Sequence, residues 1–417
     1  MKSRRCGFIT FIAVLCAAGL AALSHSSAMA ASEVKVSNAG IPVRSGPGAY
    51  YDAVGYTKAG DTFKVTEDDG RWMRVEGSLS GFVSRKALDN PSGASASARY
   101  SAGESKGFGG RVSSTASTAA TRGLVPVEPS LMRIANQRGY DAGALQELEL
   151  PPFTAREAEA FEKSFPRSAV GGHKGGAFYF DPRERDIGRG VALQLLAKFP
   201  PDGGVSLRKY VALVGMHAQN HTGFYDERFT YIVVKTDTVL SFALPGGYVI
   251  VSTGAVRAMK NEAELAFVLA HEITHIALRH GMKEMKAQKE RIHASEAMEE
   301  LDTELEKMGR DKGDEKVQAE LSAMIDDMYA GLVKGRLQAY EFEADAQGAA
   351  LAASAGYPPG AAVDFLERIS DAAASYASHP PEAIRIERLR AVVKSLAVKK
   401  KADDRRGRFA ENAGGMR

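Results

Sequence analysis

Cysteine is almost absent from the 417-residue chain: only Cys6 and Cys16 occur, both within the first 16 residues. Beyond that point neither a disulfide nor a cysteine nucleophile is available. An excess of one charge is lacking as well, because 54 basic and 51 acidic residues leave a formal net charge of only +3. Proteins that bind nucleic acids usually carry a marked basic excess, so we expect no nucleic-acid partner.

Long apolar runs are confined to the start of the chain. Residues 1–30 combine basic residues at positions 2, 4 and 5, an apolar stretch over 8–23 and small residues at 28 and 30. This order is typical of a secretory signal peptide that is cleaved after Ala30. A spanning helix needs about 20 apolar residues, which this stretch does not reach; an uncleaved anchor is the alternative. We therefore expect an exported protein, periplasmic or associated with the cell envelope, whose mature chain has no integral membrane span.

Short alternating segments separated by turn residues fill residues 31–91, a pattern that predicts a small β-barrel. The informative segments are the opening VRSGPG at 43–48, the turn GDT at 60–62 and the closing strands WMRV at 72–75 and GFV at 81–83. Together they resemble the bacterial SH3-like domain, which implies a module with a cell-wall or peptide ligand. Trp72 and Phe82 are predicted to lie in the barrel core, and stacking on a ligand is the alternative.

The remaining chain divides by composition. Small and polar residues dominate 92–124, which predicts a flexible linker. A second unit extends over 125–398, and the basic stretch 399–417 is predicted to be a disordered tail, with attraction to anionic lipid or wall polymer as a second interpretation. Within the second unit, the charged segment 282–336 carries two helical apolar patterns and predicts a helical hairpin. It would either cover the cleft as a lid or only pack against the domain.

The pattern His-Glu-x-x-His stands at 271–275, inside an apolar run in which large side chains recur at spacings of three and four. That periodicity predicts a helix, on which residues four apart lie on one face. His271 and His275 can therefore reach a single ion, and Glu272 is placed to take a proton from a water molecule. A satisfied polar cluster in the core is the alternative, but these side chains are costly in an apolar helix unless something pairs with them.

A catalytic zinc needs a third protein ligand, and no third histidine follows at short spacing. The stretch 338–348 offers the better candidate, because Glu341 and Asp345 are four residues apart on one face of a predicted helix, while Glu343 points elsewhere. A carboxylate on the metal and a second acid that bonds a ligand imidazole would fix the tautomer of that imidazole. We favour Glu341 as the third ligand; a solvated acidic helix face is the alternative.

The segment 248–252 is rich in β-branched residues and follows Pro-Gly-Gly at 245–247, which predicts a strand at the edge of a small sheet. An exposed edge can bind an extended peptide through backbone hydrogen bonds. Gly247, Tyr248, Val249 and Ile250 are therefore predicted to form the substrate strand, and an ordinary sheet strand is the alternative.

Five motifs follow one another along the second unit: LPGG at 244–247, HEITH at 271–275, ExEADxxG at 341–348, AGYPP at 355–359, and HPP at 379–381 with Arg385. In this order they resemble the HtpX/BepA-like and CAAX-prenyl-protease-like metallopeptidases, which are gluzincins. The resemblance implies that His271, His275 and Glu341 are the zinc ligands and that Glu272 is the general base. It also implies that Asp345 is an acid that hydrogen-bonds a ligand histidine.

The same resemblance assigns two further residues and shows one departure. His379 matches a histidine that supports the oxyanion or occupies the open zinc position, and Arg385 matches the arginine after that loop. Ser241 stands where many members carry asparagine, which would alter substrate binding if that side chain holds substrate.

Other histidines have simpler interpretations. His217 and His221 are four apart but lack a neighbouring glutamate, which disfavours a second metal site. His280 closes the predicted metal helix, where polar or cationic side chains are favoured, and a supporting role at the site is the alternative. His293 lies in a charged helical segment and is predicted to be solvated.

The predicted fold is α+β: a mainly helical zincin-type metallopeptidase domain with a small sheet bearing an edge strand, preceded by an SH3-like barrel. The predicted function is that of an endopeptidase with one Zn²⁺ per chain. By resemblance, its substrates are unfolded or misassembled envelope proteins, and its role is quality control. The alternatives are a latent or inactive protease-like chaperone or scaffold, and a cell-wall peptide hydrolase, which the ordered motifs disfavour.

Overall fold

The structure is a computed structural model that describes residues 32–89, 127–165, 179–202, 204–293, 313–370, 382–396 and 402–416. The predicted signal peptide, the predicted linker at 92–124 and His379 lie outside the described residues, so those predictions remain predictions. Across the described ranges, no helix combines the length and the apolarity that crossing a bilayer requires.

The first unit is a six-stranded antiparallel sheet in the order β1-β4-β5-β6-β2-β3. Its elements are β1 (Ser32–Lys35), β2 (Pro42–Arg44), β3 (Ala53–Tyr56), β4 (Thr62–Asp68), β5 (Trp72–Glu76), β6 (Gly81–Ser84) and the short helix α1 (Arg85–Asp89). Buried and exposed residues alternate along β4, so that Phe63 and Val65 join Val43, Val75 and Val83 in the core. This alternation explains the predicted barrel.

Buried polar contacts dock the first unit on the second. Lys86 is only 6% exposed, pairs with Asp226 and donates a hydrogen bond to the Gly223 carbonyl oxygen at 2.9 Å. Trp72 is buried, but its ring stands edge-on to Tyr225 of the second unit, with 5.9 Å between centroids. Since a buried ammonium without its carboxylate is costly, this contact depends on residues from both units.

The second unit surrounds a three-stranded sheet with helices. Its elements are α2 (Pro129–Arg138), α3 (Ala142–Glu149), α4 (Ala155–Lys163), α5 (Pro182–Lys198), α6 (Val205–Gln219), β7 (Thr230–Val234), β8 (Ser241–Leu244), β9 (Tyr248–Ser252), α7 (Thr253–Ala258), α8 (Glu262–Ala277), α9 (His280–His293), α10 (Gly313–Lys334), α11 (Gln338–Ser354), α12 (Gly360–Ser370), α13 (Glu382–Ser395), α14 (Arg406–Ala413) and a 3-10 turn (Gly414–Met416).

The sheet is buried on both faces. In β9, Val249 and Val251 join the apolar cluster shared with α6 and α8, while Tyr248 and Ile250 join the cluster shared with α2, α5 and α10. Strands covered on both sides form continuous apolar runs rather than alternating ones, which explains the run at 248–252.

The sheet topology corrects one prediction. The strand order is β7-β9-β8, with β9 parallel to β7 and antiparallel to β8. The segment from Gly247 to Ile250 therefore leads into the central strand, whose two sides are already hydrogen-bonded, and it cannot add a peptide. The proline at its start marked a tight turn between β8 and β9, in which Gly246 and Gly247 adopt positive φ values of 74° and 94°. The strand that packs against α8 as a sheet edge is β8.

Helix α8 has defined ends. The Asn261 side chain accepts a hydrogen bond from the Glu264 backbone N–H at 3.0 Å and so caps the first turn. After the last turn, Arg279 takes a left-handed φ of 55°. The chain then reverses into α9, which brings His280 back against His275.

The charged segment 282–336 contributes most of α9 and α10, and its middle lies outside the described residues. Leu321, Ile325 and Met328 of α10 are buried in the cluster with α2 and α5. For α10, this burial favours packing over a lid.

The prediction of a disordered tail is wrong for residues 402–416. Arg408 pairs with Glu262 at the start of α8, a carboxylate that is 0% exposed and also accepts hydrogen bonds from the Tyr210 and Tyr357 hydroxyls, each at 2.8 Å. Phe409 is buried beside them. A buried carboxylate needs a cation, and this one draws the basic tail onto the domain.

Candidate metal centre

Helices α8 and α11 bring three buried ligand-type side chains together. His271 Nε2 lies 3.1 Å from His275 Nε2, and Glu341 places one carboxylate oxygen 3.5 Å from the first nitrogen and the other 3.3 Å from the second. Among the described residues, this is the group of His, Cys, Asp or Glu side chains that could hold a metal ion. Ligand atoms about 2.0–2.2 Å from a tetrahedral zinc ion lie roughly 3.3–3.6 Å apart. The donor set and its spacing therefore fit zinc.

The close approach of the two helices depends on a glycine. A Cβ added at Gly348 of α11 would lie 2.9 Å from the backbone nitrogen and Cα of His271, closer than real Cβ atoms come to backbone. Ala344, one turn earlier on α11, is fully buried as well. The small residues after Glu341 therefore allow its carboxylate to reach the histidines.

A buried ion pair supports His271. Asp345 Oδ1 lies 3.1 Å from His271 Nδ1, and Arg385 donates to both oxygens of that carboxylate, at 2.8 and 2.7 Å. Although burial opposes ionisation, the Arg385 guanidinium holds the pKa of Asp345 well below its usual range. Burial alone would lower the pKa of His271, but hydrogen bonds with Asp345 and Glu341 outweigh it and raise that pKa to about 10. Nδ1 of His271 thus faces Asp345, and Nε2 faces the centre.

A second histidine supports His275. His280 Nδ1 lies 2.9 Å from His275 Nδ1, and His280 Nε2 lies 3.3 Å from Glu343 Oε2. Burial, and then the charge of Arg336, lower the pKa of His275 well below its usual value and that of His280 to about 3. Sequence reasoning missed Glu343, because on an isolated helix it points away from Glu341. The available signal was His280, which follows the metal helix and begins α9.

The predicted base lies beside the sheet edge. The Ser241 hydroxyl of β8 donates a hydrogen bond to Glu272 Oε1 at 2.6 Å. Ser241 is therefore at the site, but it contacts the carboxylate of α8, which sequence reasoning did not foresee.

The end of β8 adjoins a small pocket that reaches His275. It is lined by Leu244, Met282 and Arg279, among others, and by Arg336 from the loop before α11. Arg336 donates to the Ala243 carbonyl oxygen at 2.7 Å and pairs with Glu284 at 3.2 Å.

Two other sets of predicted residues lie elsewhere. In β9, the Tyr248 hydroxyl donates to Glu149 at 2.6 Å on the sheet face that is turned away from α8. His217 uses both ring nitrogens, one with Glu162 Oε1 at 2.9 Å and one with the Ala355 carbonyl oxygen at 2.8 Å. These contacts favour a structural role for His217.

Residues 207–393 match the model of peptidase family M48, and residues 39–89 match that of the bacterial SH3 domain. The beta-barrel assembly-enhancing protease of Escherichia coli (strain K12) is 30% identical over 203 residues, which cover 48% of this chain and 40% of that protein.

Two further relatives match this chain with similar identity and coverage. The putative beta-barrel assembly-enhancing protease of Vibrio cholerae is 30% identical over 178 residues, 42% of this chain and 35% of that protein. The beta-barrel assembly-enhancing protease of Yersinia pestis is 29% identical over 211 residues, 51% of this chain and 42% of that protein. The chain therefore spans about two fifths of the length of the curated relatives it matches.

The family match includes every residue of the candidate centre: His271, Glu272, His275, Glu341, Asp345 and Arg385. The resemblance inferred from the ordered motifs is confirmed. Residues 207–393 form a metallopeptidase domain of family M48, and a bacterial SH3 domain precedes it.

Proposed function

We propose that this chain is a zinc-dependent endopeptidase that acts on proteins of the cell envelope. The observation that carries the proposal is the convergence of His271 Nε2, His275 Nε2 and the Glu341 carboxylate within 3.5 Å of one another, with Glu272 next to them on α8. A zinc ion held there would lower the pKa of a coordinated water and polarise the scissile carbonyl.

The chain's own residues then have distinct tasks. His271, His275 and Glu341 would hold the metal. Asp345, fixed by Arg385, accepts the Nδ1 proton of His271 and aims its Nε2 at the metal position, and metal binding would release the proton carried by that Nε2. Glu272 accepts a proton from the attacking water and passes it to the leaving amine. The Ser241 hydroxyl holds one oxygen of that base at 2.6 Å, which orients the other.

His379 and Arg385 complete the proposal in different ways. His379 is proposed to support the oxyanion or to occupy the open metal position, and it lies outside the described residues. Arg385 acts through Asp345, because its guanidinium contacts that carboxylate.

The substrate backbone is proposed to lie along the outer edge of β8, and not along β9 as the sequence predicted. The Leu240 carbonyl oxygen accepts a hydrogen bond from the Ser252 backbone N–H at 3.0 Å. Inward and outward groups alternate along an antiparallel strand, so Ser241 and Ala243 direct their backbone groups away from β9. An extended peptide could pair with them by strand addition.

The substrate class rests on two weaker supports. The relatives are named for enhancing β-barrel assembly, and the start of this chain resembles a signal peptide. We infer that unfolded or misassembled envelope proteins are cleaved as quality control, in the periplasm or at the envelope. A cell-wall or peptide ligand is proposed for the SH3 domain.

The test is hydrolysis of unfolded casein by the chain from Ala31, supplied with zinc. We expect fragments from the wild type, none from Glu272→Gln, and wild-type cleavage by Glu147→Gln, a matched change at an exposed residue of α3. Equal cleavage by the Glu272→Gln protein would overturn the role of the base. If zinc-loaded wild type releases no fragments but binds casein, the chain is a client-binding protein and the proposed activity is wrong.

A further inference from the structure

His280 occupies an unusual position for a residue at a helix end. It is 0% exposed, and its ring stacks on Tyr340 of α11 with 4.2 Å between centroids and an angle of 8°. Its two nitrogens face different partners, His275 Nδ1 at 2.9 Å and Glu343 Oε2 at 3.3 Å. Packing from α11 therefore fixes both the plane and the direction of this imidazole.

The contacts determine where the protons lie. A neutral imidazole has one donor and one acceptor nitrogen. The Glu343 carboxylate lies 3.3 Å from His280 Nε2 and offers a negative charge and only acceptor oxygens. Its charge therefore favours the tautomer with the proton on Nε2, which leaves Nδ1 as an acceptor. That acceptor requires a proton on His275 Nδ1, which leaves the Nε2 of His275 unprotonated.

An unprotonated Nε2 is what a metal ion needs from its ligand. The opposite arrangement, with a proton on His280 Nδ1, would place the proton of His275 on Nε2 and block coordination. The position of one carboxylate on α11 therefore decides whether a ligand on α8 is ready for metal.

We propose that His280, held by Glu343 and Tyr340, is a positioning residue that sets the tautomer and the orientation of His275. This inference rests on the proposed function, because it takes His275 as a metal ligand. It gives a role to two residues for which the proposed mechanism has no use.

The experiment measures zinc affinity by competition with a chromogenic chelator, using the chain from Ala31. His280→Phe keeps an aromatic ring on Tyr340 but removes the acceptor, and we expect its zinc affinity to fall about 10- to 100-fold, the usual effect of losing such a partner. His280→Asn restores an acceptor near the Nδ1 position, and we expect it to recover most of that loss. His221→Phe, a matched change outside the cluster, should bind zinc like the wild type.

Rescue separates positioning from folding. If His280→Asn binds zinc as weakly as His280→Phe, or if His280→Phe binds like the wild type, the positioning role is wrong. In the zinc-free wild type, long-range ¹H–¹⁵N spectra should show the proton of His275 on Nδ1; a proton on Nε2 would also overturn the proposal. A wild type that binds no zinc would instead overturn the proposed function, so the two failures are distinguishable.

Discussion

Two histidine pairs with the same spacing lie in the second unit and have different roles. His217, on the last turn of α6, and His221, in the turn after that helix, have ring centroids 5.4 Å apart, and His271 and His275 on α8 have centroids 4.7 Å apart. The four-residue spacing brings the two rings of each pair close together. It is therefore not the spacing that makes a metal site.

The partners of the ring nitrogens make the difference. On α6, His217 bonds Glu162 through one nitrogen and the Ala355 carbonyl through the other. On α8, Asp345 and His280 each occupy an Nδ1, so both Nε2 atoms face the same point. A metal site needs supports on one side of each ring and space for the ion on the other.

The largest effect is expected from removing the carboxylate that contacts His271 of α8. Asp345→Leu removes the partner of His271 and leaves Arg385, which is 4% exposed, without its carboxylate. We expect zinc affinity to fall about 10- to 100-fold. The free energy of unfolding should fall by about 3–5 kcal/mol, because a buried charge is left uncompensated. Chelator competition and urea unfolding measure the two quantities.

A double variant separates these two effects. In Asp345→Leu/Arg385→Met both charges of this ion pair are removed, so most of the lost stability should return. Zinc affinity should stay low because His271 still lacks its partner. Arg408→Met, which breaks the pair with Glu262 at the other end of α8, should reduce stability and leave zinc affinity intact. Zinc affinity that recovers together with stability would show that Asp345 acts on the fold alone.

The part of this site that could be predicted from the sequence is the part set by local helix geometry. His271 and His275, like Glu341 and Asp345, share a face because each pair is four residues apart. Apolar periodicity then marks the helix that carries them. No knowledge of the tertiary fold is needed for these assignments.

The remaining features depend on contacts between distant segments. The segment 248–252 has the composition of a strand, but its central position follows from parallel pairing with β7, which no local pattern encodes. The contact between His280 and Glu343 requires both the turn at Arg279 and the approach of α11. Residues 402–416 of the basic tail pack on the domain because Arg408 pairs with the buried Glu262, which a count of charges could not reveal.

The next effect concerns the pH dependence of stability that His221, in the turn after α6, contributes. Burial, and then the charges of His217 and Arg71, lower the pKa of His221 to about 4, while Glu162 opposes the shift. The unfolded chain takes up this proton near pH 6.5 and the folded chain only near 4. Stability is therefore lost as pH falls through this window, by up to about 1.4 kcal/mol per pH unit for one proton.

His221→Asn tests this assignment. Between pH 6.5 and 4.5, its unfolding free energy should fall less steeply than that of the wild type, by the uptake of about one proton. Urea unfolding in the presence of a chelator measures the slopes without a contribution from bound metal. If the unfolding free energies of the two proteins changed in parallel with pH, folding would not suppress the protonation of His221. The proposed difference between the two histidine pairs would then lack this support.

The smallest expected effect concerns access to the pair on α8. Arg336 donates to the Ala243 carbonyl oxygen at 2.7 Å, a group that the proposed substrate would use. Such a bond contributes about 0.5–1.5 kcal/mol, so Arg336→Met should raise kcat/KM for unfolded casein about 2- to 10-fold through a lower KM. Arg133→Met, an exposed change on α2, should leave the rate unchanged. A raised KM would instead mean that Arg336 binds the substrate. The side chain that covers the edge of β8 would then be the one that recognises the peptide.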